Sequence, residues 1–408
     1  MDRDYGVSAL RSGAEVAASA HAWRELQQAT RATIYDGPDW YRAWLSTFGA
    51  DKQPRVLAVA QGGRLIGIVP LVQSRVWRRP WLSLHHVQPE DLPFLQAPSR
   101  RGNLIPLRQL SVPAGLQCGS IRGHWIARPG TEREVVTAVG RHLAACTDWD
   151  MLVFPGLLSD LDQLLHDGLR AGGLSVESRP GLTTLYGLHP QPWGTYFKSR
   201  SSHFRQRFQS AERTLAKLGA LRCVIVTAAT ELPGALARMF ALAARSRKQV
   251  PRPGQNWYLP LTPAMVAFYT DLCGRYAGAG GCVFNEVYVD ERLAGTLFSI
   301  VDNGKAYALQ TYFDDDFATG SPGRLLLREI IDWAARHELD WIDFNGNSPV
   351  VRMFASVPVP LGQAWVFRRR GYSALIHGTT TAVESLRRIV ATCRATPTAT
   401  PAKPEETK

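Results

Sequence analysis

The sequence predicts a two-lobed mixed α/β protein, and three observations predict it. A chain of 408 residues exceeds one ordinary domain. A hydrophobic fraction of 45% with 20% charged residues is that of a globular protein. The third observation is a pattern that occurs twice: Gly62-Gly63-Arg64-Leu65-Ile66-Gly67 aligns with Asp290-Glu291-Arg292-Leu293-Ala294-Gly295 at a shift of 228 positions. The same shift brings Trp40-Tyr41 onto Phe268-Tyr269, Trp44 onto Leu272 and Phe48 onto Tyr276. In both places an aromatic helix leads into strand, turn and strand, and each turn is followed by Arg-Leu-x-Gly. Two matches at one spacing read as a tandem duplication.

In order along the chain, residues 1–20 are weakly patterned and read as a loose leader, 21–190 as the N-terminal lobe and 191–375 as the C-terminal lobe. Residues 376–395 read as a terminal helix, and 396–408, rich in Pro, Thr, Lys and Glu, as a disordered tail. The first hairpin runs from Arg55 to Gln61 and from Arg64 to Val72; the second from Val283 to Val289 and from Arg292 to Val301. Between them the spacing predicts a helix over Ser201 to Leu218. Its stripe is Phe204, Phe208, Ala211, Leu215 and Leu218, with Ser201 or Ser202 as cap and Gly219 past its end. The second lobe continues with an aromatic strand, Lys305 to Phe313, and an acidic loop, Asp314 to Asp316. Gly320-Ser321-Pro322-Gly323-Arg324 then opens a helix with apolar positions 326, 327, 330, 331 and 334. Ser321 is the expected cap, and Pro322 suits the first helical position because the N–H it lacks has no partner there. A short strand from Trp341 to Phe344 and a last one from Ala364 to Arg368 complete a mixed sheet.

Composition narrows the function. No stretch reaches the roughly 18 apolar residues of a membrane span, and the start lacks the build of a secretory signal, so a cytoplasmic protein with no membrane span is expected. The six cysteines form no Cys-x-x-Cys pair and have no clustered His, which argues for buried free thiols and no metal. The net charge of +12 is uneven: Tyr196 to Arg252 holds twelve Lys or Arg against Glu212 and Glu231. Such a cluster attracts nucleic acid, a membrane surface, or a phosphorylated cofactor or substrate; its bland alternative is a solvated helix face. At the Ser321–Arg324 loop, the first-turn N–H groups of Gly323, Arg324 and Leu325 and the positive end of the helix dipole suit a pyrophosphate. Gly323 allows close approach of the backbone and Arg324 can add a charge-assisted contact. The same residues can equally serve only as a helix start.

The strand, the Ser-Pro-Gly-Arg-Leu-Leu-Leu helix and the Asp-Phe strand resemble the C-terminal half of GNAT-type N-acetyltransferases of the cellulose-biosynthesis CelD-like group. Trp193 to Gly219 and Trp149-Asp150 to Gly173 resemble that group too. The likeness runs from about Tyr35 to Tyr372, its specific part from Tyr196 to Phe367. The group is similar to the Fem-type peptidyltransferases, which share a doubled GNAT fold. The resemblance implies a tandem of two GNAT-like lobes with an acyl-CoA site in the C-terminal one. The strand from Tyr307 to Tyr312, Gln310 and Thr311 included, would hydrogen-bond the pantetheine arm, with the pyrophosphate on Ser321, Pro322, Gly323 and Arg324. Where the family often has an acidic residue and a Tyr-Lys pair, this chain has Asn347 and Val351-Arg352; Asn347-Ser348-Pro349 matches a sub-group with an Asn-Ser-Pro segment.

Direct transfer from a thioester to an amine needs a base for the ammonium proton and a donor for the leaving thiolate. Asp343, at a strand end beside the loop, is the first candidate base, or else orients backbone N–H groups there. Glu286 is the second, or else points to solvent, and Tyr312 is a candidate acid or a strand aromatic. With no Gly-x-Ser-x-Gly elbow, a covalent acyl-enzyme is disfavoured. The basic segment, through Arg205, Arg207, Arg245 and Lys248, is expected to face the cleft between lobes and hold an anionic acceptor. The expected function is transfer of an acetyl or longer acyl group from acetyl-CoA or another acyl-CoA to an amine of a sugar, peptide or envelope precursor. The alternatives are a Fem-like aminoacyl transferase whose basic segment holds charged tRNA, and a non-catalytic binding protein of the same fold.

Overall fold

The structure, a computed structural model, describes residues 5–78, 105–115, 118–246 and 261–395. The N-terminal half comprises β1 (Tyr5–Leu10), α1 (Gly13–Thr30), α2 (Pro38–Phe48), β2 (Gln53–Gln61), β3 (Arg64–Arg78), β4 (Ile105–Ser111), β5 (Ile126–Ala127), α3 (Glu132–Ala145), β6 (Met151–Leu158), α4 (Ser159–Ala171) and β7 (Leu174–Leu188). Helices α5 (Trp193–Ser199) and α6 (Ser202–Ala216) follow. The C-terminal half comprises β8 (Leu221–Val226), α7 (Leu232–Arg245), α8 (Pro263–Ala277), β9 (Cys282–Val289), β10 (Arg292–Asp302), β11 (Lys305–Phe313), α9 (Pro322–Arg336), β12 (Trp341–Asp343), α10 (Pro349–Phe354), β13 (Val357–Arg368) and α11 (Gly371–Ala395).

Two ends differ from expectation. The supposed leader is ordered: β1 pairs antiparallel with β2, and Ser12 and Glu15 form a reciprocal capping box at the start of α1. That S-x-x-E signature satisfies two N–H groups that would otherwise lack partners, and it outweighs the weak apolar pattern. At the other end, the terminal helix begins at Gly371 rather than at 376, and the 396–408 tail lies outside the described residues. Helix α6 starts as expected, with Ser201 accepting from the Phe204 N–H, and buries Phe204, Phe208, Ala211 and Leu215. It stops at Ala216, so Leu218 leaves the stripe and is 49% exposed.

Strand pairing runs in the order β1-β2-β3-β4-β6-β13-β7-β12-β11-β10-β9-β8, with β5 on β3. The order is a palindrome when β1 to β4 are matched to β8 to β11, β6 to β12, and β7 to β13. Each half therefore lends its last strand to the other: β13 pairs with β6, β12 pairs with β7, and β13 and β7 pair along the centre. The strand expected over Ala364 to Arg368 is thus longer and completes the sheet of the opposite half.

The repeated Arg-Leu-x-Gly has one physical cause in both halves. Register shifts leave Ile66 in β3 and Ala294 in β10 as the extra residue of a bulge. The glycine that follows lies beneath a helix. A Cβ on Gly67 would come 2.5 Å from Val135 Cγ1 of α3, and one on Gly295 would come 3.2 Å from Pro322 and Leu326 of α9. The repeat also meets itself in space: Trp40 of α2 and Phe268 of α8, equivalent in the duplication, pack edge to face at 5.1 Å. One apolar cluster, which includes residues of α1, α2, α7 and α8, fills one face of the sheet. On the other face α3 and α4 cover the N-terminal half and α6 and α9 the C-terminal half.

Candidate functional site

The two halves treat one junction differently, and a candidate cleft results. Strand β12 pairs in parallel with β11 only over Lys305–Tyr307 and Trp341–Asp343. Beyond Asp343 the chain turns away, with Asn345 in the left-handed region at φ 45°, while β11 runs on to Phe313. The sheet therefore parts between β11 and β12. Just past the parting, Phe298 faces Gln310 and Ser299 faces Ala308, so Leu309 is the extra residue of a bulge that re-aims the strand there.

The wall opposite comes from the N-terminal half. Gly119, at φ +73°, lies so close that a Cβ would meet Tyr269 Oη at 2.5 Å and Gln310 Nε2 at 2.8 Å. Tyr269 donates to the Cys118 carbonyl (3.0 Å), Gln310 donates to Tyr269 Oη (2.6 Å), and Asn345 Nδ2 donates to the Gly119 carbonyl (2.6 Å). Arg122 reaches Asp343 with both terminal nitrogens, Nη2 at 2.7 Å from Oδ1, and both side chains are buried. Burial works against the Arg122 charge, but the Asp343 carboxylate more than offsets it and keeps the guanidinium above its ordinary value. Around this pair stand Tyr35 and Tyr307, edge to face at 5.7 Å. Both hydroxyls are buried without a hydrogen-bond partner among the described residues. Burial first, then the Asp343 charge, pushes both phenols well above their ordinary value, so they stay protonated donors at neutral pH.

Asp343 is ion-paired with Arg122 and also accepts from the Asn345 N–H at 2.8 Å. Glu286, which the sequence left open to solvent, is 1% exposed at its side chain. It accepts from Arg238 Nε and Nη2 at 3.0 and 2.9 Å and from the Tyr288 hydroxyl at 2.8 Å. Tyr312 lies in the core with its phenol pushed up to about 12 by burial. Gln310 and Thr311 lie on β11 just past the bulge.

Helix α9 starts at Pro322 as expected, but Ser321 does not cap it: the residue is left-handed (φ 50°) and its side chain makes no cap bond. The Arg324 N–H already donates to the Ser321 carbonyl at 3.0 Å, and the intrahelical ladder begins at Leu325, the fourth helical residue, which leaves Gly323 as the first-turn donor. A Cβ on Gly323 would meet nothing within 4 Å, so the approach to this helix start is open. Arg324 anchors on the Arg207 carbonyl (2.7 Å), and its buried Nε has no partner among the described residues. Burial, then the neighbouring Arg207, lowers its pKa. Arg207 thus stands beside the helix start. Arg205 instead donates to the Lys198 and Arg200 carbonyls at the end of α5. Arg245 is 3.5 Å from Asp314, and Lys248 lies outside the described residues. Arg205, Arg207 and Arg245 thus meet different partners.

No local pattern marks Arg122, Tyr35 or Asn345. The Arg122–Asp343 pair spans 221 positions of sequence, so only the packing of the halves creates it. A faint signal existed: a charged residue inside a stretch otherwise built of Gly, Ser and Ile.

Residues 202–349 match the acetyltransferase (GNAT) domain family, so the C-terminal half carries the GNAT-type domain. No curated protein matches the sequence as a relative. Among solved structures the fold is similar to FemX, with a TM-score of 0.54 and 10% identity over 85% of this chain and 95% of that one. It is also similar to the C-terminal domain of a candidate lysylphosphatidylglycerol synthetase from Agrobacterium fabrum, with a TM-score of 0.52 and 11% identity over 92% and 96% of the two chains. At such identities the likeness is one of fold. No helix among the described residues is long and apolar enough to cross a membrane.

Proposed function

We propose that the protein is an N-acyltransferase that moves an acetyl or longer acyl group from acyl-CoA to an amine of a sugar, peptide or envelope precursor. One observation carries the reading. The parted strands β11 and β12 lead, through the bulge at Leu309, toward the open N-terminus of α9, whose first turn holds no acid. A thioester arm can lie along β11 and its pyrophosphate can meet the Gly323 N–H and the Arg324 side chain, with Arg207 adding positive charge. The open space at Gly323 and the unpartnered Arg324 Nε fit that group. The GNAT match over residues 202–349 and the CelD-like sequence features support the same reading.

In direct attack the amine nitrogen bonds to the thioester carbonyl carbon, the C–S bond breaks, the thiolate gains a proton and the ammonium loses one. Asp343 holds Arg122 and the Asn345 N–H and so positions the chain where the strands part. Tyr307, protonated and next to that parting, is the group we assign as proton donor to the leaving thiolate. Neither carboxylate first considered is free to take a proton, so the amine would enter neutral and the ammonium formed on attack would pass its proton to water, from which the Tyr307 phenol is reprotonated.

The test is the melting temperature with acetyl-CoA and longer acyl-CoAs. Ligand at about 100 times its dissociation constant should add about 2.7 kcal/mol to the folded state. Absence of any shift at millimolar ligand would remove the reading. A second reading, an aminoacyl transferase of the Fem type using charged tRNA, is favoured by the FemX-like fold and the exposed basic residues of α6. It predicts salt-sensitive tRNA binding in place of the acyl-CoA response.

A further inference from the structure

Most of the exposed large apolar side chains gather in one region. Of the seven among the described residues, Tyr372, Leu375, Leu386 and Ile389 lie on α11 and Trp77 lies near the end of β3; Leu164 and Leu218 stand apart on other elements. Helix α11 packs inward through Ser373, Ile376, Thr380 and Glu384, all buried. At helical spacing Leu375, Gly378, Thr379, Ala382, Leu386 and Ile389 fall in a stripe about 100° wide on the side away from the body. Of these, Leu375, Leu386 and Ile389 are 63%, 62% and 59% exposed. An apolar stripe held out from a packed helix marks an interaction surface.

Charge says what covers it. The only acid in α11, Glu384, is turned inward onto Arg179, and Glu177 of β7, which faces the helix, is taken by His377 and Thr381. The outward stripe carries no charge of either sign, and Arg75, Arg369 and Arg370 are exposed near the helix start. At the helix start Trp77 and Tyr372 flank a slot of about 440 Å³ that Arg75 and Arg108 also line. Arg108 is bound to Asp150, and Arg75 has no ion-pair partner among the described residues. Leucine and isoleucine outward, aromatic rings at one end and arginines alongside form the pattern of a helix that lies in a lipid–water interface.

We propose that the protein docks on the surface of an anionic bilayer through α11, with the apolar stripe in the acyl boundary and Trp77, Tyr372 and Arg75 at the headgroup level. The helix does not span; it lies flat. Binding should require anionic lipid and weaken with salt, since juxtamembrane arginines act through the surface potential.

The test is flotation of the full chain with vesicles of phosphatidylcholine alone or of phosphatidylcholine with phosphatidylglycerol. The protein should float with the second kind, little with the first, and be released by added salt. The Leu375→Glu/Leu386→Glu/Ile389→Glu variant should bind at least about tenfold less while keeping the circular dichroism and melting temperature of the parent, because the three positions are exposed. Sedimentation velocity without lipid reports any self-association. Failure of the parent to bind anionic vesicles, or equal binding by the variant, overturns the proposal. A stripe-dependent dimer without vesicle binding also overturns it and assigns the stripe to a second copy of the chain.

Discussion

In the N-terminal half β4 ends at Ser111, the residue that last pairs with β6, whereas in the C-terminal half β11 runs on past its last pair with β12 at Tyr307. The helices that follow differ in the same sense. Helix α3 opens with Glu132 and Glu134 in its first turn, and α9 opens with Pro, Gly and Arg and no acid. Acids at a helix N-terminus satisfy the dipole from within and repel an outside anion. One skeleton thus carries two kinds of helix start, acidic in one half and free of acid in the other. The first half also supplies a wall to the second through Gly119, Cys118 and Arg122.

That division can be broken at its strongest point, the buried pair across the halves. Arg122→Ala or Asp343→Ala should each cost about 3–5 kcal/mol in urea unfolding, since each leaves an unpaired buried charge. The double variant should cost clearly less than the two together. Additive losses would mean the pair does not couple the halves.

Next in size is the asymmetry of the helix starts. Gly323→Asp should abolish an acyl-CoA stabilisation of about 2.7 kcal/mol at 100 times the dissociation constant while leaving the melting temperature of the free protein near the parent's. Glu132→Gln in the first half should leave the acyl-CoA response untouched. A response lost in the second variant and kept in the first would reverse the assignment of the halves.

The repeated glycines give a smaller contrast. Gly67→Ala drives a methyl into Val135 at 2.5 Å and should cost about 1–3 kcal/mol. Gly295→Ala meets its neighbours at 3.2 Å and should cost under about 1 kcal/mol, as overpacking falls steeply with distance. Equal costs would show that α3 and α9 sit equally close.

The smallest effect concerns the Asp-Trp that precedes β6 and leads into β12. Asp148 accepts from the buried Arg55, Nη2 at 3.0 Å, and that hydrogen bond holds its carboxyl down at about 2. Its stabilising effect is full above the ordinary carboxylate pKa of about 4 and is lost as pH falls toward 2. Asp148→Asn should then cost about 1 kcal/mol or less at pH 7, since the carboxylate is partly exposed, and the difference should shrink below pH 4. Asp340→Asn, which removes an ion pair with Arg31 in which both side chains are exposed, should cost less than Asp148→Asn at pH 7.

The sequence by itself determined the duplicated skeleton. Arg-Leu-x-Gly at a shift of 228 marks the bulges at Ile66 and Ala294 and the two close helix contacts, because bulge geometry and a missing Cβ are local demands that fall on particular residues. The start of α9 was legible for the same reason, although the left-handed Ser321 was not. A serine there reads as a cap until its backbone is seen. Only the tertiary structure decided the exchange of β7 and β13, the ion pairs that occupy Asp343 and Glu286, and the burial of Tyr35 against Tyr307. Each depends on which distant residue arrives opposite. A carboxylate in a strand looks the same in sequence whether water, a substrate or an arginine from across the molecule faces it, and the pairing free energy that decides among them resides in the packed halves.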